Sequence, residues 1–340
     1  MKGALILLDQ LNGRQAAALV KDGQLQDLLM EVDQPSPGTI YRAEVDRPIK
    51  GQGGVFLNTP DGSAFLRHIK GLAPKQMLLV QVTGYAEPGK ALPVTSKLLF
   101  KSRYVIVTPT APGLNISRSI RDEDRRDMLL QLIRDTIDPL PYGMILRSSC
   151  ADADPEDIAE DANSVVKLAK QVLEDDGQHP ALLLDADTAH ELAWRDWSIP
   201  AQIETDDGCF AAHGVLDQIE ALSAPDIAIK DGSFSIEQTR AFVAVDVNTG
   251  KDSSPAAGLK ANIAMARDLP RQLRLRGLGG QIVIDPAPMP KKDRRQLETI
   301  FRAALRSDTV ETNFVGWTTL GLIELQRARS RAPLSGLDDK

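Results

Sequence analysis

Aromatic residues, cysteines and histidines are scarce in this 340-residue chain. Aromatic side chains make up 4% of it, and it has two cysteines and four histidines. Cys150 and Cys209 have no partners at metal-ligand spacing, which excludes a disulfide scaffold or a cysteine-based zinc site and favours a reducing, cytoplasmic compartment. Two to four compact units are expected at this length. Because aromatic residues are scarce, their hydrophobic cores should be mainly aliphatic.

Long apolar runs and several common catalytic motifs are also missing. No apolar run approaches the ~20 residues of a membrane-spanning helix. The N-terminal run meets Asp9 too early for a typical secretion signal, so we predict a first strand there. There is no Gly-x-x-x-x-Gly-Lys phosphate loop, no Gly-x-Ser-x-Gly elbow and no His-Glu-x-x-His zinc motif. The scattered histidines disfavour a histidine-based nuclease.

Charge is unevenly distributed along the chain. The net charge is −7, yet residues 260–306 carry eleven Lys/Arg against four Asp/Glu, while residues 151–207 carry sixteen Asp/Glu against three Lys/Arg. Because the local field governs association with a polyanion, the basic segment is a candidate nucleic-acid surface, with Arg271, Arg274 and Arg276 as contacts. The alternative is that both segments are solvated helix faces.

Residues 39–100 have the pattern of a small β-barrel. Five short apolar runs at close spacing, separated by turn residues, are typical of the oligonucleotide-binding (OB) type. Phe56 and Phe65 fall on adjacent strands, where they either stack on nucleobases or fill the barrel core. The basic residues that could contact phosphates are Lys50, Arg67, Lys70 and Lys90.

Two aspartates stand where buried strands are expected to end. Asp246 and Asp285 each follow a short apolar run, and carboxylates at neighbouring strand ends can hold Mg²⁺ or Mn²⁺ through oxygen ligands. Such an ion assists phosphodiester hydrolysis. Asn248 could orient a water or a phosphate oxygen, and Lys251 could neutralise the phosphate. Glu324 is a possible further ligand, and each aspartate could instead be only a turn former or cap.

Strands and helices are expected on both sides of the barrel. Residues 1–35 should form an antiparallel meander and residues 229–340 an α/β segment. Between them we expect a helix over 121–137, a strand over 143–146 and a helix over 154–174. The last element is expected to be a helix over 320–331, in which Glu324 pairs with Arg327.

Several segments resemble the ribonuclease E/G family, collinearly over nearly the whole chain. The block Arg271-Gln-Leu-Arg-Leu-Arg-Gly-Leu-Gly-Gly-Gln-Ile-Val-Ile-Asp285 is the longest and most specific of them. The others are Ala244-Val-Asp-Val-Asn-Thr249 and Thr319-Leu-Gly-Leu-Ile-Glu-Leu-Gln-Arg-Ala-Arg329, which are similar to the catalytic core, Gly38-Thr-Ile-Tyr-Arg42 with Gly54-Val-Phe56, which resembles the start of the S1 domain, and Gly113-Leu-Asn-Ile-Ser-Arg-Ser-Ile120, which resembles the segment after it.

The resemblance implies a Mg²⁺-dependent endoribonuclease that cleaves single-stranded RNA in rRNA processing or mRNA decay. It places Asp246 and Asp285 on the family's metal-binding aspartates and Asn248 on the companion asparagine. Arg147 with Ser148 matches the arginine and hydroxyl residue of a pocket that senses a 5′ monophosphate, with serine in place of the usual threonine.

The implied fold is α+β with several subdomains. An RNase H-like subdomain is interrupted by an S1/OB-type barrel, whose Phe56 and Phe65 match RNA-contacting aromatic positions, and by a 5′-sensor segment. A DNase I-like α/β catalytic subdomain follows. The expected ranges are 1–38 and 182–228 for the RNase H-like subdomain, 39–100 for the barrel, 101–181 for the sensor segment and 229–340 for the catalytic subdomain.

Single-stranded RNA is the expected partner, and no membrane is. The sequence lacks the Cys-Pro-x-Cys zinc link that joins protomers in the family, and no scaffold segment for degradosome partners is visible. We therefore expect no zinc link, and the oligomeric state stays open. The alternatives to an endoribonuclease are a non-catalytic RNA-binding protein of the same fold and a metal-dependent nuclease acting on DNA.

Overall fold

The computed structural model describes residues 3–49, 53–69, 71–230, 232–252, 254 and 256–337. Within these residues the helices are α1 (Glu123–Thr136), α2 (Pro155–Leu173), α3 (Ala189–Asp196), α4 (Cys209–Ala212), α5 (Val215–Ala221), α6 (Ala257–Leu275) and α7 (Arg294–Ser307). The strands of the same residues are β1 (Ala4–Leu11), β2 (Arg14–Lys21), β3 (Gln24–Met30), β4 (Ile40–Ile49), β5 (Gly54–Thr59), β6 (Gly62–Arg67), β7 (Met77–Val82), β8 (Leu92–Thr95), β9 (Phe100–Lys101), β10 (Val105–Thr108), β11 (Leu114–Ile116), β12 (Gly143–Leu146), β13 (Ala181–Leu184), β14 (Gln202–Glu204), β15 (Asp226–Ile229), β16 (Gly232–Gln238), β17 (Val243–Thr249), β18 (Gly280–Asp285), β19 (Thr312–Trp317) and β20 (Ile323–Arg327).

The chain divides into two compact units. The terminal unit is Met1–Asp33 with Pro200–Lys340, and the middle unit is Gln34–Ile199. This division differs from the expected boundary between residues 181 and 182, because β13 pairs antiparallel with β4 of the barrel. Residues 182–199 therefore group with the middle unit.

The middle unit contains the expected barrel. Strands β4, β5, β6, β8 and β7 follow one another in the sheet, and a further pairing of β4 with β7 closes it. Alternate residues point inward, so the interior is aliphatic, with Val45, Leu57, Leu66 and Val80 fully or almost fully buried. The prediction of a five-stranded OB-like barrel is confirmed.

Helices α1 and α2 of the middle unit share one core with the sheet β11-β12-β10-β9. The α2 N-terminus is capped as its sequence indicates: the Asp154 carboxylate accepts a hydrogen bond of 2.8 Å from the Glu156 backbone N–H, and Pro155 occupies the first turn. Helix α3 was not predicted, although Thr188 and Glu191 form a reciprocal capping box at its start.

The meander predicted for residues 1–35 belongs to the terminal unit. Strands β1, β2 and β3 pair antiparallel, and β14 adds to β1 in parallel. Asn12-Gly13 and Asp22-Gly23 have positive φ angles at both positions, which matches two-residue hairpin turns whose twist suits the flanking strands.

The second sheet of the terminal unit has the order β15-β16-β17-β18-β20-β19. One face is covered by α6 and α7, whose apolar residues join those of the strands in a single core. The prediction of a helix over 320–331 was wrong, because Ile323, Leu325 and Arg327 are buried while the residues between them are exposed. That period of two fits a strand, and β20 lies between β18 and β19.

Candidate active site

Asp246 and Asp285 lie side by side on the second sheet of the terminal unit. Strands β17 and β18 run parallel, with Asp246 directly opposite Asp285. Neighbouring strands are about 4.8 Å apart, and the preceding residues Val245 and Ile284 are buried in the core. Both carboxylates are therefore on the opposite, exposed face. The predicted metal site requires these two strands to be neighbours in one sheet, and they are.

Asp246 is not at the end of its strand, contrary to the expectation. Strand β17 continues to Thr249 because it stays paired with β16, and Gly232 lies opposite Thr249. A Cβ atom on Gly232 would lie 2.1 Å from the Asn248 carbonyl oxygen, so glycine allows this close approach. The extension puts Asn248 on the face of Asp246, where its Nδ2 donates a 2.7 Å hydrogen bond to Asp246 Oδ2.

The chain that follows Asp285 is fixed by a buried asparagine. Asn262 of α6 is fully buried; its Oδ1 accepts a 2.9 Å hydrogen bond from the Ala287 N–H, and its Nδ2 donates one of 2.9 Å to the Ala287 carbonyl. Gly258, one turn earlier, approaches so closely that an added Cβ would lie 2.0 Å from the Pro288 carbonyl oxygen. Contacts with α6 thus fix the path of the backbone that follows Asp285.

The chemistry of this pair suits a hard divalent cation. In the described part of the chain, neither Asp246 nor Asp285 forms an ion pair with a basic side chain. Among the same residues, no group of three or more His, Cys, Asp or Glu side chains is placed to hold a metal ion. Glu324 is on the same face as Asp285, opposite Val283 on the next strand. Two carboxylates are enough for Mg²⁺, which usually keeps several waters.

Lys251 follows β17 and is exposed. The loop beyond it is held by Asp252, which accepts a 2.8 Å hydrogen bond from the Ser254 N–H and pairs with Lys260 at 3.0 Å. Hydrogen bonds from Ser254, together with Lys260, lower the pKa of Asp252 to about 2. Lys251 comes before this part of the loop, and its side chain is exposed near the end of β17.

Arg271 and Arg276, expected to contact RNA, are used inside the terminal unit. Arg271 pairs with Asp268 at 2.7 Å and donates a 3.0 Å hydrogen bond to the carbonyl of Leu25 on β3. Arg276 is buried and donates to the carbonyl of Ala224 at 3.2 Å. Because α6 packs against β3, the guanidinium groups of Arg271 and Arg276 bind protein carbonyl groups. These two arginines are therefore not part of an exposed RNA-binding surface.

Arg274 belongs to a buried ion network with the same consequence. It contacts Asp308 and lies 3.2 Å from Asp27, which also pairs with Arg331 at 2.8 Å. Arg327 lies 2.7 Å from Asp308, and the side chains of both are 1% exposed. This network connects β3, α6, β20 and the end of α7, so Arg274 is a structural residue.

Phe56 and Phe65 lie on the outside of the barrel. They face each other across β5 and β6 with ring centroids 5.2 Å apart, whereas Val55 and Leu57 point into the core. Of the two interpretations left open by the sequence, the structure excludes the barrel core. Position 54 requires glycine, since a Cβ atom added there would lie 2.4 Å from the ring of Phe65.

Of the basic residues predicted on the barrel, Lys90 and Arg67 are exposed. Lys90 pairs with Glu87 three residues earlier, and its side chain is 66% exposed. Arg67 ends β6. Lys50 and Lys70 lie outside the described residues.

Arg147 and Ser148 follow β12 in the middle unit. Arg147 donates to the carbonyls of Ser102 and Arg195, the latter at 3.2 Å, and pairs with Asp196 at 2.8 Å. Burial alone would raise the pKa of Asp196, but Arg195 and Arg147 bring it down to about 2. Ser148 is exposed, and within the described residues its hydroxyl has no hydrogen-bond partner.

Two features of these sites were missed from the sequence. Asn262 gave no local signal, because an asparagine within a helix is ordinary until its distant partner is known. The Arg195-Asp196 pair is carried by α3, and the capping box of Thr188 and Glu191 could have revealed that helix.

The chain is similar in sequence to known ribonucleases. Residues 100–202 and 198–330 match the sequence profile of the Ribonuclease E/G family. Ribonuclease E of Nostoc sp. is 27% identical over 97% of this chain and 56% of its own length. Ribonuclease G of Salmonella typhimurium is 27% identical over 96% of this chain and 80% of its own length, and Ribonuclease G of Escherichia coli K12 is 26% identical over the same shares. The chain thus spans about half the length of the first of these relatives. With the profile covering well over half of its residues, the chain belongs to the Ribonuclease E/G family.

Proposed function

We propose that the chain is a metal-dependent endoribonuclease that cleaves single-stranded RNA in RNA processing or decay. The observation that supports this most directly is the register of β17 and β18, which puts Asp246 opposite Asp285 with Asn248 bonded to Asp246. Membership of the family and relatives named ribonucleases support the same reaction.

Asp246 and Asp285 would hold Mg²⁺, or Mn²⁺, through carboxylate oxygens. When bound, such an ion would supply an activated water and neutralise charge on the phosphate. Asn248 keeps the Asp246 carboxylate in one orientation, since its amide donates to one oxygen and leaves the other free. Lys251, exposed after β17, binds the phosphate of the strand to be cut. Asn262 fixes the backbone behind Asp285, so the distance between the carboxylates is set before substrate arrives.

The S1/OB-type barrel would bind the RNA substrate. Phe56 and Phe65 present two rings on the outer surface, where bases can stack, and exposed Lys90 can follow the phosphates. In this assignment the meander with residues 200–228 is the RNase H-like subdomain, residues 39–100 are the S1 barrel, residues 101–199 contain the sensor segment, and residues 229–340 are the DNase I-like subdomain.

The 5′ monophosphate of the substrate would bind at Arg147 and Ser148. Arg147 is held by two carbonyls, and a phosphate would compete with Asp196 for its remaining N–H groups. The Ser148 hydroxyl is free to donate to a phosphate oxygen.

Metal binding tests the site independently of catalysis. Binding of Mn²⁺, followed by its electron paramagnetic resonance signal, should be weakened in Asp246→Asn and Asp285→Asn. Glu237→Gln is the control, because Glu237 is an exposed carboxylate on β16 of the same sheet. If Glu237→Gln weakens Mn²⁺ binding as much as the aspartate variants do, the ion is attracted by general charge and the assignment fails.

Sensing is tested by the 5′ group of the substrate. Ser148→Ala and Arg147→Ala should slow cleavage of 5′-monophosphorylated RNA more than that of 5′-hydroxyl RNA. Ser148→Ala is the cleaner variant, since Arg147 also supports the fold. Equal slowing of both substrates in both variants would remove the sensor role and leave the catalytic proposal intact.

A further inference from the structure

Trp194 is a large aromatic side chain left open to solvent. It is 59% exposed on α3, while Trp197, the C-cap residue of that helix, is 6% exposed. The guanidinium of Arg103 lies 4.0 Å from the centroid of its ring, well within the ~6 Å of a cation–π contact. Arg103 Nη1 also donates to the Trp194 carbonyl. A cation thus covers one face of the indole, and much of the remaining ring is exposed.

The stack is held rigidly within the middle unit. Ser149 Oγ donates a 2.5 Å hydrogen bond to the Arg103 carbonyl, which fixes the backbone under the guanidinium. Within the described residues, Arg103 Nε is buried without a hydrogen-bond partner, so the guanidinium is oriented by packing on Trp194. Helix α3 is anchored by its capping box and by buried Trp197. A pre-ordered aromatic surface loses little conformational entropy when a ligand binds.

Two further arginines, Arg147 and Arg195, lie near the stack. Arg147 donates to the carbonyls of Ser102 and Arg195, the chain neighbours of Arg103 and Trp194, so its guanidinium is adjacent to the stack. Burial lowers the pKa of Lys101; the charges of Arg195 and Arg147 lower it further, and that of Asp196 raises it. The nearby carboxylates Asp187 and Asp196 are each paired with an arginine.

We propose that Trp194, backed by Arg103, binds an unpaired nucleobase of single-stranded RNA. An aromatic face combined with neighbouring cations is the arrangement that binds single strands with little sequence preference. This platform is separate from Phe56 and Phe65 on the barrel. The inference rests on the proposed RNA substrate but not on cleavage.

Tryptophan fluorescence and affinity for a short single-stranded oligoribonucleotide, both measured in EDTA so that no cleavage occurs, test the platform. RNA should quench the wild-type emission. Trp194→Phe should keep most of the affinity, because phenylalanine still stacks, but lose most of the quenching. Trp194→Ala should lose the quenching and bind at least about fivefold more weakly. Trp197→Phe removes the buried tryptophan at the C-cap of α3 and should keep both signals.

The outcomes separate this proposal from the proposed function. Wild-type affinity in Trp194→Ala, with unchanged quenching, would overturn the platform and leave RNA binding by the barrel in place. No binding by the wild type would overturn both proposals. If Trp194→Ala instead shifts the sedimentation coefficient and leaves RNA affinity unchanged, the indole contacts protein and the RNA platform is overturned.

Discussion

The buried ion network of the terminal unit gives the sharpest stability prediction. Asp308 contacts both Arg274 and Arg327, and the side chains of Asp308 and Arg327 are 1% exposed. In Asp308→Asn, Arg274 keeps Asp27 at 3.2 Å, but Arg327 keeps only neutral acceptors, at Thr312 and Pro270. Removing one partner of a buried pair typically costs 3–5 kcal/mol, so we expect a loss of about that size in the free energy of unfolding.

An exposed pair in the same unit provides the control for this prediction. Glu298 and Arg302 are one helical turn apart on α7 at 2.8 Å, with side chains 34% and 45% exposed, so Glu298→Gln should cost less than about 0.5 kcal/mol. Urea unfolding, with hydrogen exchange of peptides from α6 and β20, reports this unit separately from the rest of the chain. Equal losses in Asp308→Asn and Glu298→Gln would refute the argument that burial makes the network costly to break.

Three further predictions concern acid stability, thiol reactivity and RNA affinity. The pKa of Asp196 is lowered to about 2, below the ~3.9 of an unfolded chain. The stability that this carboxylate contributes is therefore present above about pH 4 and is lost as the pH falls through about 2. Asp196→Asn should flatten that part of an acid titration followed by circular dichroism. Burial raises the pKa of Cys150 and of Cys209 to about 11, and the charge of Asp9 contributes to the shift of Cys209. Iodoacetamide at about pH 8 should therefore label neither thiol in the native protein and both thiols in urea. Labelling of the native protein, detected by mass spectrometry, would contradict the burial of these thiols. Phe65→Leu keeps apolar bulk over Gly54 but removes the aromatic face, and should weaken single-stranded RNA binding by roughly 1–3 kcal/mol; unchanged affinity in a filter-binding assay would remove Phe65 from the interface.

Local patterns predicted much of the fold. The barrel strands and the meander followed from short apolar runs separated by turn residues, and α2 followed from Asp154 and Pro155 at its start. These features are encoded within a few residues of each other, so they are visible without tertiary information. Helix α3 was equally visible in its capping box but was overlooked.

The failures came from contacts that are distant in sequence. In 320–331, Leu322 and Leu325 have helical spacing, and only pairing with β18 and β19 decides for a strand. The arginines at the end of α6 have the charge pattern of an RNA surface. However, Arg271 and Arg274 donate hydrogen bonds to carbonyl groups of β3, some 250 residues away in sequence. In contrast, Asp246 and Asp285 could be placed as neighbours because parallel strands joined by a helix usually pair.

The central claim is tested most directly by cleavage of a labelled, single-stranded 5′-monophosphate RNA by the wild type and Asp285→Asn, each with Mg²⁺ and with EDTA. We predict internal cuts only for the wild type with Mg²⁺, while Asp285→Asn still retains the RNA. Cleavage by Asp285→Asn at the wild-type rate, or by the wild type in EDTA, would contradict the metal site at Asp246 and Asp285. No cleavage by the wild type, with RNA still bound, would identify a non-catalytic RNA-binding protein instead.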